Sequence, residues 1–294
     1  MMVATSAGAV EEVLRGGSRG VSTQHPSVSI LTFVRNAVDT LPSTIESVLQ
    51  QTALERLDYI VVDGASNDGT IDILRSYDAH IDQWVSEKDR GIVDAQNKAI
   101  LLSGARYVFF LNADDWIEPK FIEAAVDAIA VSGADIVYGD IQVRSSDGAP
   151  LHRLNGDPAF FGRMGAFYQM PCVNFPTMVI RRALFDEIGL FDERFRVAPD
   201  YEWLLRLVKN RKDLKVRYVP DLVVNFRLGG NSDLLYYIGL KDAYRASIMH
   251  GGKVALAMCF YGKRMVMHWC KGIASTVIPR PLFSRLLGIA RRFA

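Results

Sequence analysis

Short β-rich apolar runs alternating with stretches of helical periodicity constrain this 294-residue chain more than any other feature. Residues 27–34 (SVSILTFV) form the first run. Leu41, Ile45, Val48 and Leu49 then recur at offsets 0, 4, 7 and 8, one face of a helix. Residues 58–63 (DYIVVD) predict a second buried strand, closed by the turn cluster GASNDG. A helix over 70–77, a strand over 81–86, a helix carrying Ile92, Ala95, Ala99 and Leu102, and a strand over 107–111 (YVFFL) continue the pattern. Such spacing implies βαβ crossovers, so the expected fold is α/β with a mostly parallel, Rossmann-like sheet.

Ligands of such sheets sit beyond the carboxyl ends of the strands. Thr32, Asp63 and the run from Asn112 to Asp115 all fall near that edge. Farther on, 135–143 and 177–180 read as strands and 200–209 as a helix, while 215–219 and 222–226 read as strands paired around Pro220-Asp221. The expected divisions are a loose N-terminal tail at 1–26, a globular domain at 27–232 and a basic amphipathic helical extension at 233–294.

Charge sets that extension apart. Nine Lys/Arg follow Ala243 with no Asp or Glu, although the whole chain carries only +1. The extension's expected partner is therefore anionic: a membrane surface, with Trp269 and Phe283 as interfacial anchors, or else only a helical layer packed on the domain. No nucleic-acid reader motif accompanies the charge, so nucleic acid is not an expected partner. Three scattered cysteines fit a reducing, cytoplasmic setting. No signal-peptide pattern and no apolar run of roughly 18–20 residues is present, which leaves peripheral attachment to the inner membrane's cytoplasmic face as the expected membrane mode. The five histidines lack ligand spacing, and neither a P-loop nor a dinucleotide fingerprint is present.

Adjacent carboxylates at a strand end, Asp114 and Asp115, repel each other unless solvent or a cation compensates them. Hard oxygen ligands suit Mg²⁺ or Mn²⁺ completed by substrate phosphates, although a solvated turn capping the next helix would use the same residues. Asp63, ending its strand before a tight turn, can accept a hydrogen bond from a ribose hydroxyl or a base N–H. In Pro199-Asp200-Tyr201-Glu202, the proline suits a first helical position and Asp200 the first turn, where the helix dipole favours an ionised carboxylate. Glu202 lies on another face, at i,i+4 spacing from Arg206, and reads as half of a surface pair.

Taken in order, SILTFVRNA, TIESVLQQT, VDGASNDGT, SEKDRGIVDAQNKAI, FLNADDWIEP, VIRRALFDEIGLFDERF and PDYEWLLR resemble the family 2 glycosyltransferases of GT-A fold, particularly bacterial enzymes of polysaccharide assembly. The resemblance runs from about Ser27 to Ser232. It implies inverting transfer from a nucleotide-diphosphate sugar, with a UDP-sugar the expected donor and a glycan or lipid-linked glycan the expected acceptor. By the same resemblance Thr32 and Asp63 line the nucleoside pocket, Asp114 approaches ribose and metal, Asp115 ligates the divalent cation, and Asp200 is the catalytic base. Arg90 becomes a diphosphate contact, and Asp94 and Asn97 face the donor from one helix side. Two departures stand out: Gly64 where the family commonly has a second aspartate, and Asn112 where an aspartate is frequent. The competing class is a non-catalytic nucleotide-sugar-binding partner of a synthase complex. A nucleotidyltransferase would be expected to carry a glycine-rich basic loop after the first strand, and TFVRNA contains no glycine.

Overall fold

A computed structural model describes residues 3–4, 10–11, 13–19, 27–159, 161, 174–229 and 235–277. Its strands are β1 (Val3–Ala4), β2 (Val10–Glu11), β3 (Leu14–Gly16), β4 (Val28–Val34), β5 (Leu57–Asp63), β6 (Gln83–Ser86), β7 (Tyr107–Phe110), β8 (Trp116–Ile117), β9 (Ile136–Arg144), β10 (Pro150–Leu154), β11 (Val179–Arg181) and β12 (Val216–Arg227). The helices are α1 (Leu41–Leu49), α2 (Thr70–Ser76), α3 (Ile92–Leu102), α4 (Phe121–Ser132), α5 (Ala183–Ile188), α6 (Pro199–Asn210), α7 (Tyr236–Met249) and α8 (Val254–Val277).

Every position of β4 and β5 is buried, which requires cover on both sheet faces. Alternation along the strands supplies two cores. Leu31, Phe33, Ile60, Val62, Val108 and Phe110 pack with α3, α5, α6 and α7. Ile30, Tyr59, Val61 and Phe109 pack on the other side with α1, α2 and α4. The main sheet has ten strands, in the order β3-β6-β5-β4-β7-β11-β9-β12-β8 with β10 on β9. Its block β6-β5-β4-β7 is parallel, whereas β11 joins β7 and β9 antiparallel. Chain order reverses between β4 and β7, which makes that the switch point where a ligand crevice forms.

Two sequence expectations change here. The tail is not wholly loose: β3 pairs antiparallel with β6, and Gly17 N donates to Asp78 Oδ1 at 2.6 Å. The open edge of β6 offers unpaired backbone groups that a short polar segment can satisfy without an apolar run to announce it. Likewise, 215–219 and 222–226 do not pair with each other. Both belong to β12, which runs parallel to β9 with a register break between Tyr218 and Val223. The break falls around Pro220, which lacks an N–H for the ladder.

Candidate active site

At the switch point the loops after β4, β5, β6 and β7 enclose a cavity of about 480 Å³. Backbone strain marks its rim. Asn36 and Ala65, just past the ends of β4 and β5, adopt φ of 53° and 57°, uncommon for residues with a Cβ. Asn36 is held there by its N–H to Ser66 Oγ at 2.7 Å and by its Oδ1 accepting from Asn67 N at 3.0 Å.

Asp114 and Asn112, from the turn after β7, line the cavity. Asp115 does not. It is buried, and its Oδ1 accepts from Arg227 N at 3.0 Å while its Oδ2 accepts from Asn112 Nδ2 at 2.9 Å. Of the two expected cation ligands, Asp114 faces the cavity, while Asp115 is taken up by these two hydrogen bonds beside it. Burial, and then the Asp114 charge, raise the Asp115 carboxyl well above the usual range, and burial raises Asp114 as well. No cluster of three or more His, Cys, Asp or Glu suited to a metal occurs among the described residues. The oxygens present still fit one hard cation. Asp114 offers a carboxylate, and the Asn112 amide, its nitrogen engaged by Asp115, keeps its oxygen free. Mg²⁺ binds through one or two such groups and completes its shell with phosphate and water.

Other expected contacts also lie just outside the cavity. Thr32 is fully buried, with Oγ1 accepting from the Tyr59 hydroxyl at 3.2 Å; Val34 and Arg35 line the cavity instead. Asp63 is fully buried too. Its carboxylate accepts from Ser66 N at 3.0 Å, from Ser86 Oγ at 2.6 Å and from Ser66 Oγ, so it ties the ends of β5 and β6 together.

Arg90, Asp94 and Asn97 form a brace between α3 and the segment after α5. Arg90 Nη2 donates to Asp94 Oδ1 at 2.9 Å and to Glu193 Oε1 at 2.7 Å, while Arg90 N donates to Asp94 Oδ2 at 3.0 Å. Asn97 exchanges two hydrogen bonds with the backbone of Phe191, at 2.9 and 3.0 Å. None of the three expected donor contacts lines the cavity; Asp94 and Asn97 are buried in these bonds, while the Arg90 side chain stays largely exposed. They position α6 relative to the start of α3, where Gly91 and Ile92 line the cavity.

Asp200 sits at the start of α6 behind Pro199, and its Oδ1 accepts from Tyr201 N at 2.8 Å. Burial pushes its carboxyl up to about 6, and the residue as a whole is partly exposed. It does not line the 480 Å³ cavity, nor do Asp63 and Asp115. Glu202 is no surface residue. It is fully buried, bound to Arg206 Nε at 2.8 and 3.0 Å and to His250 Nε2 at 2.9 Å. Sequence reasoning also assigned no role to Arg35, Asp39 and Asp89 on the cavity wall, although SILTFVRNA contains Arg35 and SEKDRGIVDAQNKAI contains Asp89.

Comparison with known proteins defines the class. Residues 29–189, more than half of the chain, match Glycosyl transferase family 2. TuaG of Bacillus subtilis strain 168, a glycosyltransferase assigned by its name to teichuronic acid biosynthesis, is 33% identical over 210 residues, 70% of this chain and 81% of its own length. S. aureus TarS 1–349 in complex with UDP-GlcNAc superposes with a TM-score of 0.59 at 16% identity, covering 80% of this chain and 71% of that one; the match spans 41% of the longer TarS chain. The mannosyltransferase PcManGT of Pyrobaculum calidifontis, in complex with GDP-Man and Mn²⁺, gives 0.56 at 17% identity, covering 92% and 81%. The fold is GT-A. The chain belongs to glycosyl transferase family 2.

Proposed function

We propose that this protein transfers a sugar, with inversion, from a nucleotide-diphosphate sugar to the hydroxyl of a lipid-linked glycan on the cytoplasmic face of a membrane. The observation carrying this reading is the crevice at the β4/β7 switch point, where Asp114 and Asn112 present free oxygens. Those two groups would hold Mg²⁺ or Mn²⁺, which when bound supplies a counter-charge for the departing diphosphate. Solved relatives carry UDP-GlcNAc or GDP-Man, which supports a nucleotide-sugar donor, and a UDP-sugar remains the expected one.

Asp200 is assigned as the base. It takes the acceptor's O–H proton as that oxygen bonds to the anomeric carbon, while the bond from that carbon to the diphosphate oxygen breaks on the opposite face. A carboxyl near 6 is ionised at neutral pH yet more basic than an ordinary aspartate, which suits that task.

The acceptor's lipid enters through the C-terminal helices. Helix α8 packs on α7 through Tyr236 stacked on His268 and Tyr244 against Tyr261. It leaves Val254, Met258, Val266 and Trp269 exposed beside Lys263 and Arg264, with no acidic residue after Ala243. No helix among the described residues is long and apolar enough to cross a membrane. Phe283 and the last four arginines lie outside the described residues.

Transfer or donor hydrolysis should be measured across UDP- and GDP-sugars with and without Mn²⁺. Turnover of one sugar nucleotide that requires the cation, and that Asp200→Asn abolishes while donor binding persists, is the expected result. Full turnover in Asp200→Asn would remove the base assignment.

A further inference from the structure

Helix α6, which carries Asp200, begins without a side-chain cap. Pro199 has no N–H to offer, and the Asp200 carboxylate is turned to its own neighbour, accepting from Tyr201 N at 2.8 Å. No side chain of the first turn therefore anchors the chain where it enters the helix. Helix α7 supplies the anchor from outside. Asp242 lies on its buried face, 3% exposed, and its Oδ2 accepts from Val197 N at 3.0 Å, three residues before Asp200.

The same helix meets this segment at two further points. Gly239 lets α7 approach so closely that a Cβ built on it would lie 3.1 Å from Val197 Cγ1. Arg245 sets its guanidinium 5.3 Å from the centre of the buried Phe195 ring and lies 3.7 Å from Asp242 Oδ1. Residues 239, 242 and 245 recur every three positions, so one side of α7 grips the strip that leads into α6. Burying a carboxylate costs free energy, and an apolar side chain of that size would pack there at lower cost. What the carboxylate adds is a charge-assisted hydrogen bond to one chosen point of the chain.

We propose that Asp242 is a positioning residue for Asp200: by holding Val197 N–H from α7, it sets where the base stands and keeps its surroundings closed to water. The proposal rests on the assignment of Asp200 as the base. Burial, with no charged neighbour contributing, is what holds the Asp200 carboxyl near 6. Loosening the segment readmits water and lowers that carboxyl toward the ordinary 3.8.

Initial rates of the full chain across the acid and neutral range test this, well below the melting temperature and at saturating Mn²⁺ and sugar nucleotide, the latter being whichever UDP- or GDP-sugar the wild type turns over. Calorimetry measures donor binding in parallel. In Asp242→Ala, kcat should fall about 10–100-fold while donor affinity stays within about twofold of wild type. The acid limb of its rate profile should move from about 6 toward 3.8. Asp242→Asn keeps an oxygen for Val197 N–H, so its kcat should stay within about threefold of wild type and its acid limb in place. If Asp242→Ala does not fold, Asp242→Ser, polar and too short to reach Val197 N, carries the same expectations. A carboxylate that serves stability alone would lower the melting temperature and leave kcat and the acid limb of the folded protein unmoved. That result would overturn the proposal, as would Asp242→Asn losing as much rate as Asp242→Ala. If Asp200→Asn keeps full turnover, the base assignment falls and this inference with it; if Asp200→Asn is inactive and Asp242→Ala behaves as wild type, only this inference falls.

Discussion

Replacing Glu202 tests whether a buried network holds the helix that carries Asp200. The Glu202 side chain is 0% exposed, and that of Arg206 is 21%. Beyond Glu202, Arg206 donates to Ile188 O at 2.8 Å and to Leu190 O at 2.7 Å, so one guanidinium ties α6 to the end of α5. Removing one partner of a fully buried ion pair costs about 3–5 kcal/mol. Glu202→Ala should cost less, about 2–4 kcal/mol, because Arg206 keeps two backbone acceptors and some solvent. Arg206→Ala should cost at least as much, because it leaves the wholly buried carboxylate with His250 alone. At roughly 2–4 °C per kcal/mol for a domain of this size, Glu202→Ala should lower the melting temperature by about 4–16 °C. Thermal unfolding followed by circular dichroism, with urea titration as a check, measures it. A shift within about 1 °C of wild type, or a far milder effect for Arg206→Ala, would refute the reasoning.

The remaining expectations concern metal, pH and membrane. Asp114→Ala should remove Mn²⁺-dependent donor binding with little change in melting temperature. Asp115→Ala should act chiefly on stability, by about 1–3 kcal/mol, since it orphans the Arg227 and Asn112 donors; calorimetry and melting curves on both variants separate the roles. Asp200 in the fold holds its proton up to about pH 6 against an ordinary value of 3.8. The turnover rate should therefore fall as pH drops below about 6 and plateau above it. The same shift means that the unfolded chain ionises first, so wild-type stability from this group is lost as pH rises from about 4 to 6. Asp200→Asn should consequently melt higher than wild type at pH 7–8, with the gap closing near pH 4. Vesicle flotation should show binding to anionic but not neutral bilayers, weakened by salt and by Lys263→Glu/Arg264→Glu, at about 1 kcal/mol per basic residue near the surface.

Local pattern was enough to reveal the strand-helix alternation, the polar strand ends and the acidic turn after β7. Alternation encodes which residues are buried, and it survives without knowledge of neighbours. The motif order carried the family assignment. What the chain alone left undecided was orientation at the strand ends. Thr32 and Asp63 look like rim residues in sequence, yet both point inward, because a shift of one position at a strand end or in a turn exchanges cleft for core. Glu202 read as a surface residue because nothing local shows that α7 will pack over it and bring His250. Asp242 and Val197 have no sequence relation; only the packing of α7 beside α6 lets one accept from the other. Burial of charge and the convergence of distant loops depend on which elements pack together, and that is settled only when the whole sheet has assembled.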